Sequence, residues 1–278
     1  MMTPFRRAGT VIIHRFLILV VLAYCVAPFL WMILTSMLPI SDLTSIPPHI
    51  HLSELSLSRY VLLFRSADFL GPLYHSAEAA SGTTVVTMLL GSLAAYGIAR
   101  FQFGGRKTLL VSMMLAQMVP VIALAVPLFI LLRSLHLIDT VLGLILTYTA
   151  FILPIVIWLL VGFFGDIPAS LEKAAKIDGC NRWQIMWRII LPLSANSLVA
   201  AGAFAFIAAW SDFFLALVLT YKNATTLPVR AADFVGVYSV DYRSAATAGV
   251  IATLPVLLLT LVFQRWIVRG LTEGALKG

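Results

Sequence analysis

The sequence predicts an all-α polytopic membrane protein with six transmembrane helices and both termini in the cytoplasm. Three observations predict it: the composition, the lengths of the apolar stretches and the distribution of basic residues. Of 278 residues, 61% are hydrophobic and 11% are charged, where a soluble domain carries about 25% charged residues. The mean hydropathy is +0.99. A soluble fold has too little interior to hide that much apolar surface, so the solvent of this chain is lipid.

A spanning helix needs roughly 20 mostly apolar residues to cross a hydrocarbon core of about 30 Å. Phe16 to Met37, Ala79 to Ala99, Thr108 to Leu132, Val141 to Phe164 and Ser244 to Phe263 qualify with no Asp, Glu, Lys or Arg, and Ser194 to Thr220 qualifies with one, Asp212. Pro28, Pro120, Pro127, Pro154 and Pro255 lie inside these stretches. A helical bundle tolerates them because neighbouring helices and polar side chains satisfy the freed carbonyls. A β-barrel strand would alternate lipid-facing and lumen-facing residues, and runs such as Leu142 to Phe164 do not alternate. The first stretch is too long for the apolar core of a signal peptide and lacks a small-residue cleavage site, so it reads as a retained helix.

Cytoplasmic loops hold the excess of Lys and Arg. With the N-terminus inside, Arg6, Arg7, Arg15, Arg100, Arg106, Lys107, Lys173, Lys176, Arg182, Arg188, Arg265, Arg269 and Lys277 fall inside; Arg59, Arg65, Arg133, Lys222, Arg230 and Arg243 fall outside. The net charge of +7 is spread over these short loops and forms no nucleic-acid patch. The chain therefore divides into a cytoplasmic N-terminal segment (1–15), a transmembrane domain (16–267) and a cytoplasmic C-terminal tail (268–278). Cys25 and Cys180 fall on different levels, and their spacing suits no metal.

Two outer segments are long, Leu38 to Glu78 and Tyr221 to Arg243, and serve either as solvated caps or as partner contacts. The one large cytoplasmic feature is the loop 165–192, between the fourth and fifth spans. Asp166 and Pro168 supply a helix start, and Asp178-Gly179 supplies a stop. Between them Leu171, Ala174, Ala175 and Asp178 share one small face, while Glu172 and Lys176 stand at pairing distance on another. A second helix follows with Trp183, Met186, Trp187 and Ile190 at helical spacing, and Pro192 ends it. The second helix suits a bilayer surface, with tryptophans at headgroup level. The alanine face of the first gives little membrane affinity and fits a protein socket better.

The segment "LEKAAKIDGCNRWQIMWRIILP" resembles the cytoplasmic EAA loop of ABC transporter permeases of the binding-protein-dependent importer family. That pattern runs Glu-Ala-Ala, three residues, Gly, nine residues, then Ile-x-Leu-Pro. Ala174, Ala175, Gly179, Ile189, Leu191 and Pro192 fall at its spacings, with Asp178 before the glycine. Lys173 stands where the motif has glutamate, and Glu172 precedes it. "QRWIVRGLTEGALKG", "WSDFFLAL" and "FQFGGRK" resemble the maltose-permease-like, carbohydrate-uptake subgroup, with Gly104 where many members have proline.

The resemblance implies a bacterial inner-membrane permease subunit of an ATP-driven importer of a sugar or related polyol. It further implies a second homologous permease, two ATPase subunits that carry ATP and Mg, and an extracytoplasmic solute-binding protein. Leu171, Glu172, Lys173, Ala174, Ala175, Asp178, Gly179 and Arg182 are then the expected ATPase-coupling residues, and Gly270, Leu271 and Gly274 the expected tail contact. The tail also reads as a basic anchor, and its glycines argue against an independent helix.

No G-x-x-x-x-G-K-[ST] occurs, since Gly104-Gly105-Arg106-Lys107-Thr108 lacks the Gly-Lys pair. The chain is expected to bind no cofactor, hold no metal and catalyse no reaction. Asp212, with Trp210, either lines a solute path or sits near the outer interface, because a carboxylate at a helix centre costs about 2.5–3.5 kcal/mol. Gln117 is a further path candidate. Ala201, Ala205 and Ala209, spaced by four, read as close helix packing. An ion-coupled secondary transporter is the alternative, disfavoured by the single intramembrane carboxylate and the absence of an obvious repeat.

Overall fold

The computed structural model describes residues 4–45, 51–236 and 240–275. Among these residues the regular structure is helical, and Val235 and Val240 form an isolated antiparallel bridge rather than a strand. In chain order the helices are α1 (Pro4–Met37), α2 (Ile40–Thr44), α3 (Ser58–Arg65), α4 (Ala67–Arg100), α5 (Arg106–Ala116), α6 (Val121–Ser134) and α7 (Val141–Asp166). They continue with α8 (Ala169–Ile177), α9 (Arg182–Ile185), a π-helical turn (Met186–Ile190), α10 (Leu191–Leu193), α11 (Ala195–Trp210), α12 (Phe214–Leu219), α13 (Leu227–Asp233) and α14 (Tyr242–Ala275).

Four segments are long and apolar enough to cross a membrane: His14–Met37, Ala67–Arg100, Val141–Asp166 and Tyr242–Arg265. Counting each of two bent helix pairs as a span gives six. Two expected spans are therefore not continuous helices. Thr108 to Leu132 breaks between α5 and α6, which meet at 93°. Pro120 lacks an amide proton and disfavours helix at the residue before it, so the chain turns there. Ser194 to Thr220 also breaks, because α11 ends at Trp210 before α12 begins at Phe214; ahead of this stretch the helical segment Arg182–Leu193 meets α11 at 80°.

The chain forms two compact units, Met1–Leu70 with Ala231–Leu254 and Gly71–Arg230 with Pro255–Gly278. In the first, α1 exposes every side chain from His14 to Leu30, an apolar wall that only hydrocarbon or another subunit can cover. Its far end is tied down, because the hydroxyls of Ser36 and Tyr60 share a hydrogen bond of 2.7 Å. Asp241 accepts from the amide (3.0 Å) and hydroxyl (2.7 Å) of Ser244, which caps the start of α14, and pairs with Arg59 at 3.4 Å. The long connection expected from Leu38 to Glu78 is shorter than its sequence suggests, because α4 already begins at Ala67 with Asp68 in its first turn.

In the second unit the core lies along α4, α7 and α11. Leu144, Tyr148, Val156, Leu160 and Phe164 of α7 are buried, as are Thr83, Thr87 and Ala95 of α4. Ala201, Ala205 and Ala209 of α11 are buried as the small-residue spacing predicts. A Cβ on Gly82 of α4 would meet Ile145 Cδ1 at 2.5 Å, so glycine there sets how closely α4 and α7 approach. With about 1.5 Å of rise per residue, the 26 residues of α7 outreach the hydrocarbon core. One end of α7 carries α8, and the other begins beside Asp139.

Candidate functional site

Helix α8 is built as its sequence dictates. Pro168 stands at its N-cap, Glu172 lies in the first turn, and Asp178 and Gly179 close it, Gly179 at φ +82°. The left-handed conformation costs glycine nothing and a β-carbon about 1–2 kcal/mol. Asp166 belongs to the last turn of α7 rather than to the start of α8. The buried and exposed faces differ from the expected ones. Ala175 is buried together with Glu172, while Leu171, Lys173, Ala174, Lys176, Ile177, Asp178 and Gly179 are exposed. Ile177 is the most prominent, 87% exposed, with Leu171 at 43%.

Glu172 does not pair with Lys176. Its carboxylate lies inward, 2.5 Å from Arg100 Nε, and accepts a 3.3 Å hydrogen bond from the Tyr96 hydroxyl. The Arg100 contact is a charge pair without hydrogen-bond alignment, since neither atom meets hydrogen-bond geometry. Arg100 Nη2 also donates to the Ile167 carbonyl at 2.9 Å. The pair joins the last residue of α4 to the first turn of α8. A cation thus stands at a negative helix end and an anion at a positive one, so both macrodipoles reinforce it. Sequence reading missed Arg100 and Tyr96, whose partner lies 76 residues from Tyr96.

Arg182 is drawn aside as well, its guanidinium 4.3 Å from the centroid of the Phe101 ring. Asn181 and Gln184 form a reciprocal capping box that starts α9. Trp183 and Trp187 are exposed, while Ile185, Met186 and Ile190 are buried. The expected single face of Trp183, Met186, Trp187 and Ile190 is thus divided, because the π-helical turn adds residues per turn and shifts the register.

The path candidates occupy the helix breaks. Asp212 is not at a helix centre: its Oδ1 accepts from the amides of Leu215 (3.0 Å) and Ala216 (3.2 Å), satisfying the opening turn of α12. The buried Tyr148 hydroxyl faces the same carboxylate without an aligned hydrogen bond. Trp210 is buried and stacked on Phe206, centroids 5.8 Å apart and planes 15° apart. Gln117 Nε2 donates to the Phe151 carbonyl at 2.8 Å, which pins the break between α5 and α6 to α7 beside Pro154. These three side chains thus engage different groups: the start of α12, the Phe206 ring and α7. Gly270, Leu271 and Gly274 lie in the backbone of α14, so that part of the tail continues an existing helix rather than forming its own. Gly278 lies outside the described residues.

At the opposite end of α7, Asp139 is a feature that sequence reading passed over. It is buried, sits at φ +58°, and accepts from the amides of Tyr221 (3.0 Å), Lys222 (3.1 Å), Asn223 (2.9 Å) and Ala224 (3.2 Å), and from Asn223 Nδ2 at 2.9 Å. Its own amide donates to the Leu219 carbonyl at 2.9 Å. Burial raises its pKa, but the amides outweigh burial and hold it below the usual carboxylate range. The only local cue was an acid before the Thr140 N-cap, which reads as ordinary helix capping.

Together these features define a class: an all-helical polytopic membrane protein that carries, between two core helices, a short braced helix with its apolar side turned outward. A profile of the binding-protein-dependent transport system inner membrane component matches residues 87–273. The trehalose transport system permease protein SugB of Mycobacterium tuberculosis (strain CDC 1551 / Oshkosh) is 40% identical over 264 residues, 93% of this chain and 94% of that protein. The trehalose/maltose transport system permease protein MalG of Thermococcus litoralis is 37% identical over 258 residues, 91% of this chain and 92% of that protein. A bacterial ABC transporter involved in the import of the acidic polysaccharide alginate shares the fold, with a TM-score of 0.76 at 19% identity, over 95% of this chain and 98% of that chain. The chain belongs to the family of inner-membrane components of binding-protein-dependent transport systems. It is the permease subunit of an ABC importer and resides in the inner membrane. The ion-coupled carrier reading gives way to this membership.

Proposed function

We propose that this permease crosses the membrane six times with both termini in the cytoplasm, α5 with α6 making the third span and α11 with α12 the fifth. In this reading residues 1–15 and 268–278 are cytoplasmic and loop 165–192 is the coupling element. A homologous permease completes the pathway, a solute-binding protein delivers the solute from outside, and two ATPase subunits hydrolyse ATP. The solute is a sugar, oligosaccharide or related polyol, since the relatives named above are trehalose and trehalose/maltose transport permeases by name. Binding measurements on the cognate solute-binding protein test this class, and affinity for amino acids alone would refute it.

One observation carries the coupling role: α8 shows Leu171, Ala174, Ile177 and Gly179 outward while Glu172 anchors it inward. A helix exposed on its apolar side and braced on the other transmits displacement that a slack loop would absorb. Closure of the ATPase dimer would then move α8 and rock α7 and α11 with it. Lys173, Asp178 and Arg182 frame the contact, Ala175 supports it from below, and Gly270, Leu271 and Gly274 approach the same partner from the tail. Trp183 and Trp187 lie at headgroup level.

Ala174→Trp places bulk on the docking face, and Gly179→Asp strains the stop of α8. Each is expected to cut ATPase co-purification and solute uptake at least tenfold; wild-type levels of both would end the docking reading. Trp210, Asp212 and Gln117 remain the path candidates. Asp212→Asn keeps an oxygen to cap α12, so lost uptake with intact assembly assigns the carboxylate to the solute path. Unchanged uptake leaves it a cap.

A further inference from the structure

The outward face of α8 is basic where its sequence is balanced. Glu172, the one acid in the body of the helix, is withdrawn into the contact with Arg100 and Tyr96. Lys173 and Lys176 stay exposed on either side of Ala174, and among the described residues neither forms an ion pair. The remaining acid, Asp178, is exposed at the C-terminal cap beside Gly179. Ile177 projects between Lys176 and Asp178 with 87% of its surface free. The face is therefore an isoleucine knob with two ammonium groups toward its N-terminal side and one carboxylate at its end.

A complementary surface needs the reverse arrangement. Apolar area gains by burial, whereas an ammonium buried against an uncharged or basic wall loses its hydration without return. We infer that the ATPase subunit receives α8 in a socket with an apolar slot for Ile177 and an acidic wall facing Lys173 and Lys176. This rests on the docking reading above and adds the chemistry of the partner. It also gives the inward position of Glu172 a consequence: turning that acid under the helix removes the charge that an acidic wall would repel. Anionic lipid is the competing acidic surface, but a lipid surface has no slot shaped to the small exposed Ala174 and the projecting Ile177.

The test uses the assembled transporter, with the permease co-expressed beside its ATPase and captured at rising salt. The double variant Lys173→Glu/Lys176→Glu is expected to lose at least tenfold in ATPase recovered at low salt. Wild-type recovery should fall as salt rises, because exposed charge pairs are screened. Ile177→Ser should lower recovery at every salt. Acid-to-base changes on the ATPase that restore uptake to the double variant would locate the wall.

Wild-type or tighter ATPase capture by the double variant overturns the acidic wall while leaving docking intact, provided Ala174→Trp and Ile177→Ser still abolish capture. If those two also capture normally, the docking reading itself has failed. If the double variant captures normally but loses a preference for phosphatidylglycerol over phosphatidylcholine nanodiscs, the lysines serve lipid and the inference is overturned. Thermal unfolding of the isolated permease, expected unchanged by these exposed substitutions, separates docking from folding.

Discussion

Asp139 and Glu172 show how one chemical group, the carboxylate, takes different roles beyond the two ends of α7. Asp139 gathers four successive amides of a loop more than 80 positions away, and this compensates a left-handed backbone that costs on the order of 1 kcal/mol. Asp139→Ala removes the acceptor shared by these amides, of which the Ala224 amide is buried, and is expected to cost about 1–3 kcal/mol, read as a lowered unfolding temperature in detergent. The depressed pKa fixes the pH dependence. The carboxylate contributes fully above its ordinary value of 3.8, and the contribution is lost as pH falls through the lower folded value. The wild type should therefore lose stability below about pH 4 more steeply than Asp139→Ala does. An equal slope in the two proteins would remove Asp139 from the acid transition. Asp212 carries a related lesson, because it sits at a helix break and accepts from the amides that open α12, while Gln117 at the other break reaches across to the Phe151 carbonyl of α7.

At the scale of elements, α8 depends on α4 more than on its own sequence. Nine residues form a marginal helix in isolation, and its fixed orientation comes from the Arg100–Glu172 contact and the Arg100 bond to the Ile167 carbonyl. Removing one partner leaves an uncompensated, largely buried charge, a loss on the order of 3 kcal/mol. Arg100→Leu and Glu172→Leu should each destabilise the protein, and the double replacement should cost less than the sum. A thermal-unfolding cycle measures the coupling, and strict additivity would mean that the two side chains act independently. The turns of α8 were legible in the sequence because glycine and proline act locally. Its buried side was not, because alanine at 174 and at 175 are chemically alike and only contact with the rest of the protein distinguishes them.

For the whole molecule, composition dictates the membrane, and loop charge is the argument for the proposed orientation. In a chain carrying Cys25→Ser and Cys180→Ser, a membrane-impermeant maleimide should label Lys222→Cys from the outside of intact cells and Lys176→Cys only in inverted vesicles. The reverse pattern would invert the proposed topology. Continuous apolar stretches located the spans but did not reveal that one bends by 93° between α5 and α6 and that another breaks between α11 and α12. Hydropathy reports transfer into lipid, whereas a break at membrane depth depends on whether other groups, such as the Asp212 carboxylate at the start of α12, reach the freed backbone groups.

By itself the sequence determined the solvent, the helical class, the ends of α8 and the kind of protein, because these follow from composition, from residues that act on their own backbone and from a motif of fixed spacing. Only the tertiary structure decided which side of α8 faces out, where Glu172 and Arg182 are spent, and that Asp212 caps a helix and Trp210 is stacked away. Each of these turns on a partner supplied by a distant part of the chain, and no local pattern encodes which distant group will arrive.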